Sequence, residues 1–140
     1  MTNVASRKLA FFEGMKVTEI KKNIPHPLLI SLSTGGLSVE CPWRLMNGGK
    51  IVLGQTDFFH QDQKEFNRGI LDKALRDKTI RRVEWLDDCY LLRIVFSENY
   101  VMDLFHDSGS QEGWELFGNG DFSFISLPGG EPEMIEKDEQ

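Results

Sequence analysis

The chain has 140 residues, and a chain of this length can bury roughly two thirds of the surface that its unfolded form exposes. Hydrophobic residues make up 40% of it. Its formal net charge of −6 disfavours binding to nucleic-acid phosphates, and no segment approaches the roughly 20 apolar residues of a membrane span. The N-terminus has a basic pair but no apolar run of the kind found in secretion leaders. We therefore expect a cytoplasmic protein that binds neither nucleic acid nor a membrane.

Residues 11–56 are predicted to form a first β-rich unit. It begins with a short strand in which the spacing of Val17 and Ile20 breaks the two-residue period, as a β-bulge would. Alternating residues over 28–33 and 37–41 flank a glycine turn and predict a β-hairpin. A second hairpin is predicted around Asn47-Gly48-Gly49, because glycine and asparagine tolerate the positive φ of tight turns.

Residues 57–76 are predicted to form one connecting helix. Gly69 in its middle costs about 1 kcal/mol relative to alanine. The residues close to its apolar face are Phe59, Phe66, Ile70 and Ala74, with Leu71 and Leu75 widening that face.

Residues 77–127 repeat the pattern of the first unit. The matching segments are Trp43-Arg44-Leu45 with Trp114-Glu115-Leu116, Val17 and Ile20 with Ile80 and Val83, and Val39-Glu40 with Met102-Asp103. We therefore predict an α+β fold, mainly antiparallel β, in which two pseudo-repeated β-units form one sandwich or barrel-like core within a single domain of residues 1–130. Trp43 and Trp114 are predicted to anchor that core, and the acidic segment 131–140 is predicted to be a disordered tail.

The second unit differs from the first by an insertion, residues 106–113, and a loop that breaks internal symmetry is a candidate functional element. Residues 57–140 carry nineteen Asp/Glu and nine Lys/Arg, whereas residues 1–56 carry three and seven. Such an acidic half favours a basic protein partner. Trp85 has no aromatic counterpart in the first unit and is expected to line a pocket or an interface. The candidate partner-binding residues are Trp85, Asp87, Asp88, His106, Asp107, Glu112 and Glu115.

The chain lacks the residue spacings of established catalytic and metal sites. Its histidines, His26, His60 and His106, are far apart, and only the last two have a carboxylate close by in sequence. Cys41 and Cys89 have neither zinc-site nor redox-pair spacing. We expect no metal, no cofactor and no catalytic residue. A hydrolase that uses His106 and nearby carboxylates remains an alternative.

Three short motifs resemble a group of small bacterial domains of unknown function. The motifs are Gly14/Val17/Ile20, Glu40-Cys41-Pro42-Trp43 and Glu112-Gly113-Trp114-Glu115-Leu116, within residues 11–126. Some of these domains are suggested to be immunity proteins paired with secreted polymorphic toxins. The resemblance implies a non-enzymatic bacterial domain that binds a basic protein such as a toxin, as a monomer or a homodimer. A small-ligand-binding domain with a pocket near Trp85 is the other alternative.

Overall fold

The computed structural model describes residues 8–21, 28–58, 64–120 and 122–136. Within these residues the chain forms eleven strands and two α-helices, so the predicted α+β class with mainly antiparallel β-structure is confirmed. The strands are β1 (Val17–Ile20), β2 (Leu28–Leu32), β3 (Gly35–Val39), β4 (Trp43–Asn47), β5 (Lys50–Gly54), β6 (Ile80–Leu86), β7 (Leu91–Phe96), β8 (Tyr100–Phe105), β9 (Trp114–Gly118), β10 (Phe122–Ser126) and β11 (Pro132–Glu136). The helices are α1 (Gln55–Phe58) and α2 (Lys64–Leu75), and short 3-10 turns lie at Ala10–Phe12 and Ser97–Asn99.

The strands form two sheets, and each sheet contains strands from both predicted units. Sheet 1 has the order β1-β2-β3-β9-β10-β11, and sheet 2 has the order β5-β4-β8-β7-β6. The β4–β5 hairpin of the first unit therefore completes the sheet of the second, and the β9–β10 hairpin completes the sheet of the first. Buried side chains from both sheets share one hydrophobic cluster. The two halves of the chain are thus held together by backbone hydrogen bonds as well as by the core.

The strand registers of the two halves correspond to each other. Val39 pairs with Trp114 between β3 and β9, and Leu104 pairs with Trp43 between β8 and β4. Val39 therefore corresponds to Leu104, and its predicted match with Met102 is wrong by two residues. A shift of two residues keeps every side chain on the same face of a strand, so the apolar pattern could not reveal it.

The bulge predicted from the Val17/Ile20 spacing is present in both halves. The register shifts between Val17 and Glu19 in β1, and between Ile80 and Arg82 in β6. Next to these bulges, an antiparallel bridge between Lys16 and Thr79 joins the ends of β1 and β6. The bridge connects the two sheets along one side and makes the core barrel-like there.

The helical segment differs from its prediction. Residues 59–63, and with them Phe59, lie outside the described residues, and α2 ends at Leu75. Leu71 and Leu75 are fully buried, whereas Phe66 is 64% exposed, so the predicted apolar face is wrong at Phe66. The core contacts the helix on the side of Leu71 and Leu75, which packs beside β1. Among the described residues, no helix is long and apolar enough to cross a membrane.

The predicted disordered tail is wrong for residues 132–136, which form β11. This strand pairs with β10 from Phe122–Glu136 to Ser126–Pro132, and Met134 packs against the core. Acidic composition predicted disorder, but one inward methionine and a full backbone ladder are enough to order the segment. Residues 137–140 lie outside the described residues.

Candidate functional site

Four loops meet at one end of the two sheets and are here termed the acidic end: residues 40–42, 87–90, 106–113 and 127–131. Hydrogen bonds connect them. Glu40 N donates to Gly113 O at 2.8 Å, and Gly129 N donates to Ser108 O at 3.0 Å. Tyr90 Oη donates to Glu131 Oε1 at 3.4 Å. The inserted loop 106–113 therefore lies in the middle of this end.

The acidic end carries exposed carboxylates and neither lysine nor arginine. Its carboxylates are Glu40, Asp87, Asp88, Asp107, Glu112 and Glu131. None of them forms a salt bridge with a described residue. Six of the carboxylates elsewhere in the described chain do form salt bridges, namely Glu19, Asp72, Glu84, Glu98, Asp103 and Glu136. Charges of one sign without neighbouring counter-charges create a negative potential at this end.

An aromatic cluster lies between the two sheets at the acidic end. The Trp85 ring is 6.0 Å from that of Trp114 and 6.2 Å from that of Phe124, measured between centroids. Trp114 is 2% and Trp43 is 5% exposed, which confirms both as core residues. The Nε1 atom of Trp114 has no hydrogen-bond partner within the described part of the chain. The rings of Trp114 and Phe124 thus pack beside Trp85 in this cluster.

Tyr90 brings an aromatic side chain to the surface of the acidic end, although it was not among the predicted residues. It is 39% exposed, has a left-handed φ of 52°, and its ring centroid is 5.9 Å from that of Trp85. A Cβ atom at Gly130 would come within 2.4 Å of Tyr90 Cδ2, and Gly130 itself has a φ of 95°. Glycine at that position lets the 127–131 loop hold the Tyr90 ring in place. An aromatic residue within the turn Asp87-Asp88-Cys89-Tyr90 was the signal in the sequence that could have identified it.

His106 holds the inserted loop in place. Its Nε2 atom is 2.7 Å from Gln111 O, and its Nδ1 atom is 2.6 Å from Ser126 Oγ. Because a carbonyl can only accept, Nε2 carries a proton, and in the neutral ring Nδ1 accepts from the serine hydroxyl. Ser126 is fully buried, so its oxygen is out of reach of a substrate. The arrangement suits a loop anchor and does not favour a hydrolase with Ser126 as the nucleophile.

The predicted site residues separate into three places. Asp87, Asp88, His106, Asp107 and Glu112 lie in the loops of the acidic end, and Trp85 lies in the aromatic cluster.

Glu115 lies apart, on the outer face of sheet 1. Its Oε2 atom accepts from Ser123 Oγ at 2.7 Å, and it lines a shallow concavity of about 330 Å³ with Phe117 and Ile135. Neighbouring residues of a strand point to opposite faces of the sheet, so Glu115 faces outward because Trp114 faces the core.

Among the described residues, the remaining titratable and metal-ligating side chains do not meet at one site. His26 and His60 lie outside the described residues, and no group of three metal-ligating side chains occurs among those described. Both cysteines are free. Burial, followed by the charge of Asp107, raises the pKa of the Cys41 thiol to about 12. Cys41 is therefore a protonated core residue at neutral pH.

A charged network that sequence reasoning missed lies on the outer face of sheet 2. The fully buried carboxylate of Asp103 accepts from Arg44 Nε at 3.2 Å and Nη2 at 2.9 Å, and from Arg93 Nε at 2.7 Å and Nη2 at 2.9 Å. Burial by itself would raise the pKa of Asp103, but the hydrogen bonds and charges of the two guanidinium groups outweigh it and lower the pKa. Opposite charges at facing positions of neighbouring strands were the available signal.

Compared with known proteins, the chain matches no family model, no curated protein and no solved structure.

Proposed function

We propose that this protein is a non-enzymatic binding domain that docks a basic protein surface on its acidic end. One observation carries the proposal: six exposed carboxylates cluster on four adjoining loops that hold no lysine or arginine, and none of the six forms a salt bridge with a described residue. Like charges on adjoining loops repel one another, and this repulsion lowers the stability of the fold. A cationic partner relieves the repulsion, and long-range attraction raises association rates by about 10- to 10³-fold.

Tyr90 supplies the anchor of the proposed interface. Interfaces gain most of their affinity from a few buried aromatic or arginine side chains, and charged rims mainly steer the encounter. Tyr90 is exposed and is held in position by Gly130 and Trp85. It lies in the same turn as Asp87 and Asp88, and its hydroxyl group contacts Glu131. A lysine or arginine of the partner that stacks on this ring also meets Glu131 beside the hydroxyl group.

A secreted bacterial toxin is the class of partner that the sequence resemblance suggests. In that case the protein is an immunity protein of the bacterial cytoplasm that covers a basic surface of the toxin. The acidic end supports this proposal because a toxin that acts on anionic substrates needs a basic active surface.

The test uses two double variants of the full chain with the same change in net charge. D87K/D88K reverses two charges at the acidic end. E13K/E98K reverses two exposed carboxylates at the opposite end of the sheets, beside the start of β6 and in the β7–β8 turn. The binding partner is the product of the neighbouring gene, and its association and dissociation rates are measured at about 50 and 500 mM salt.

We expect D87K/D88K to lower the association rate constant by about tenfold at low salt and to flatten its salt dependence. The control E13K/E98K is expected to change that rate constant by less than about twofold, because its charges lie at the opposite end of the sheets. Circular dichroism and unfolding midpoints show whether both variants keep the fold. Equal rate constants for the two variants would contradict docking at the acidic end.

A further inference from the structure

We infer that the free edge of β5 is a second docking site, separate from the acidic end, and that it takes an extended peptide strand in which an apolar residue is followed by an acidic one. β5 is the last strand of sheet 2, and no described strand pairs with its outer side. Two apolar side chains are exposed there, Ile51 at 62% and Val52 at 38%. Added strands bind such edges through backbone hydrogen bonds and alternate side-chain contacts.

The equivalent edge of sheet 1 is already occupied by a strand of this chain. Leu45 pairs with Leu53 between β4 and β5, as Leu116 pairs with Phe124 between β9 and β10. β5 therefore corresponds to β10, and the outer side of β10 is covered by β11. The β10–β11 ladder shows how a strand can be added at this position of the fold.

The register of β11 on β10 predicts the contacts of a strand added to β5. Glu136 of β11 pairs with Phe122, and Ile135 pairs with Ser123. The β5 positions that correspond to Phe122 and Ser123 are Lys50 and Ile51. A strand with the β11 pattern would thus place a carboxylate opposite Lys50 and an apolar side chain opposite Ile51. Opposite charges and apolar pairs at facing positions stabilise a ladder.

The backbone of β5 limits the docked strand to a short segment centred on Ile51. Lys50 closes the two-residue hairpin with Asn47, so the backbone groups of Ile51 point to the outer side. At the other end of the strand, Gly54 N already donates to Asp57 Oδ2 at 2.9 Å. A bulge also interrupts β5 beside Val52. Side-chain complementarity at Lys50 and Ile51 must therefore supply the selectivity.

The probe is a synthetic peptide with the sequence of residues 130–136, titrated to about 1 mM into the isotope-labelled full chain. We expect the amide signals of Lys50, Ile51 and Val52 to shift and to saturate, while those of Ser123 and Ile125 stay in place. Shifts at Ser123 and Ile125 instead would show that the peptide exchanges with β11, and would overturn the inference. The absence of a saturating shift would overturn it as well.

Two variants with a matched chemical change locate the site. I51E places a negative charge where the acidic peptide is proposed to bind. I135E makes the same change in β11, the outermost strand of sheet 1, where the Ile135 side chain is 50% exposed. We expect I51E to weaken peptide binding by about tenfold and I135E by less than about twofold. Equal weakening would overturn the inference. K50E, at an exposed turn position, is expected to weaken binding as well and decides the question if I51E does not fold.

A second copy of this chain is the competing occupant of the edge. Sedimentation velocity of the protein without peptide distinguishes the two. A monomer supports the peptide strand, whereas a dimer that is lost in I51E would show that β5 pairs with another copy and would overturn the assignment.

Discussion

Replacing Asp103 by asparagine is expected to lower the free energy of unfolding by about 2–3 kcal/mol. The change keeps the shape of the side chain but removes the charge that accepts hydrogen bonds from Arg44 and Arg93. Loss of one partner of a buried pair costs about 3–5 kcal/mol, since the other charge stays buried. Here the guanidinium side chains are 36% and 34% exposed, so water can solvate them and the cost is smaller.

The same prediction has a pH dependence with a definite sign. The pKa of Asp103 lies below its ordinary value in the folded chain, and the unfolded value is about 3.9. The folded state therefore binds fewer protons than the unfolded state in acid. The stabilisation is complete above about pH 5 and is lost as the pH falls through the folded-state pKa. Because asparagine does not titrate, the difference in free energy of unfolding between D103N and the original chain should become smaller below about pH 4.

Urea unfolding at about pH 7 and at about pH 3 measures both effects. E84Q is the control, because Glu84 lies in β6, two strands from β8 in the same sheet, its side chain is 38% exposed and it pairs with Arg82. We expect E84Q to lower the free energy of unfolding by about 0–1 kcal/mol. The stabilising role of the Arg44–Asp103–Arg93 network would be refuted if D103N lowered the free energy of unfolding by less than about 1 kcal/mol at neutral pH. The same holds if the loss were equal at neutral and acidic pH.

Three further predictions concern stability and reactivity. Chemical denaturation should show that W114A lowers the free energy of unfolding by about 3–5 kcal/mol. W114F should lower it by less, because the indole N–H has no described hydrogen-bond partner to lose. G69A should raise the unfolding free energy by about 0.5–1 kcal/mol, since nothing lies within 4 Å of the added Cβ atom, and an unchanged or lower value would indicate a hidden contact. Cys89 is exposed and Cys41 is buried, so a thiol reagent should modify Cys89 in the folded protein and Cys41 only after unfolding. Equal rates of modification would contradict the burial of Cys41.

Much of the local structure could be predicted because it depends on neighbouring residues. The alternation of apolar residues located β2 and β7, and the glycine turn at 48–49 located a hairpin. The unusual spacing of Val17 and Ile20 correctly predicted a bulge in β1. The inserted loop 106–113 and the acidic turn at 87–88 were identified from charge and symmetry, and the structure brings them to the same end.

Long-range pairing decided the rest. Periodicity identifies the buried face of a strand but not its neighbour, so the exchange of hairpins between the two sheets could not be read from the sequence. For the same reason, the charges of Arg44, Arg93 and Asp103 could be noted in the sequence, but their pairing across three strands appeared only in the structure. The Tyr90 ring is held in position by Gly130, which lies 40 residues away in the chain. Local preferences along the chain therefore predicted most strands and turns, with β11 as an exception, and the charge distribution follows directly from the composition. The tertiary structure alone decided which charges are paired and which remain free, because that depends on contacts between residues distant in sequence.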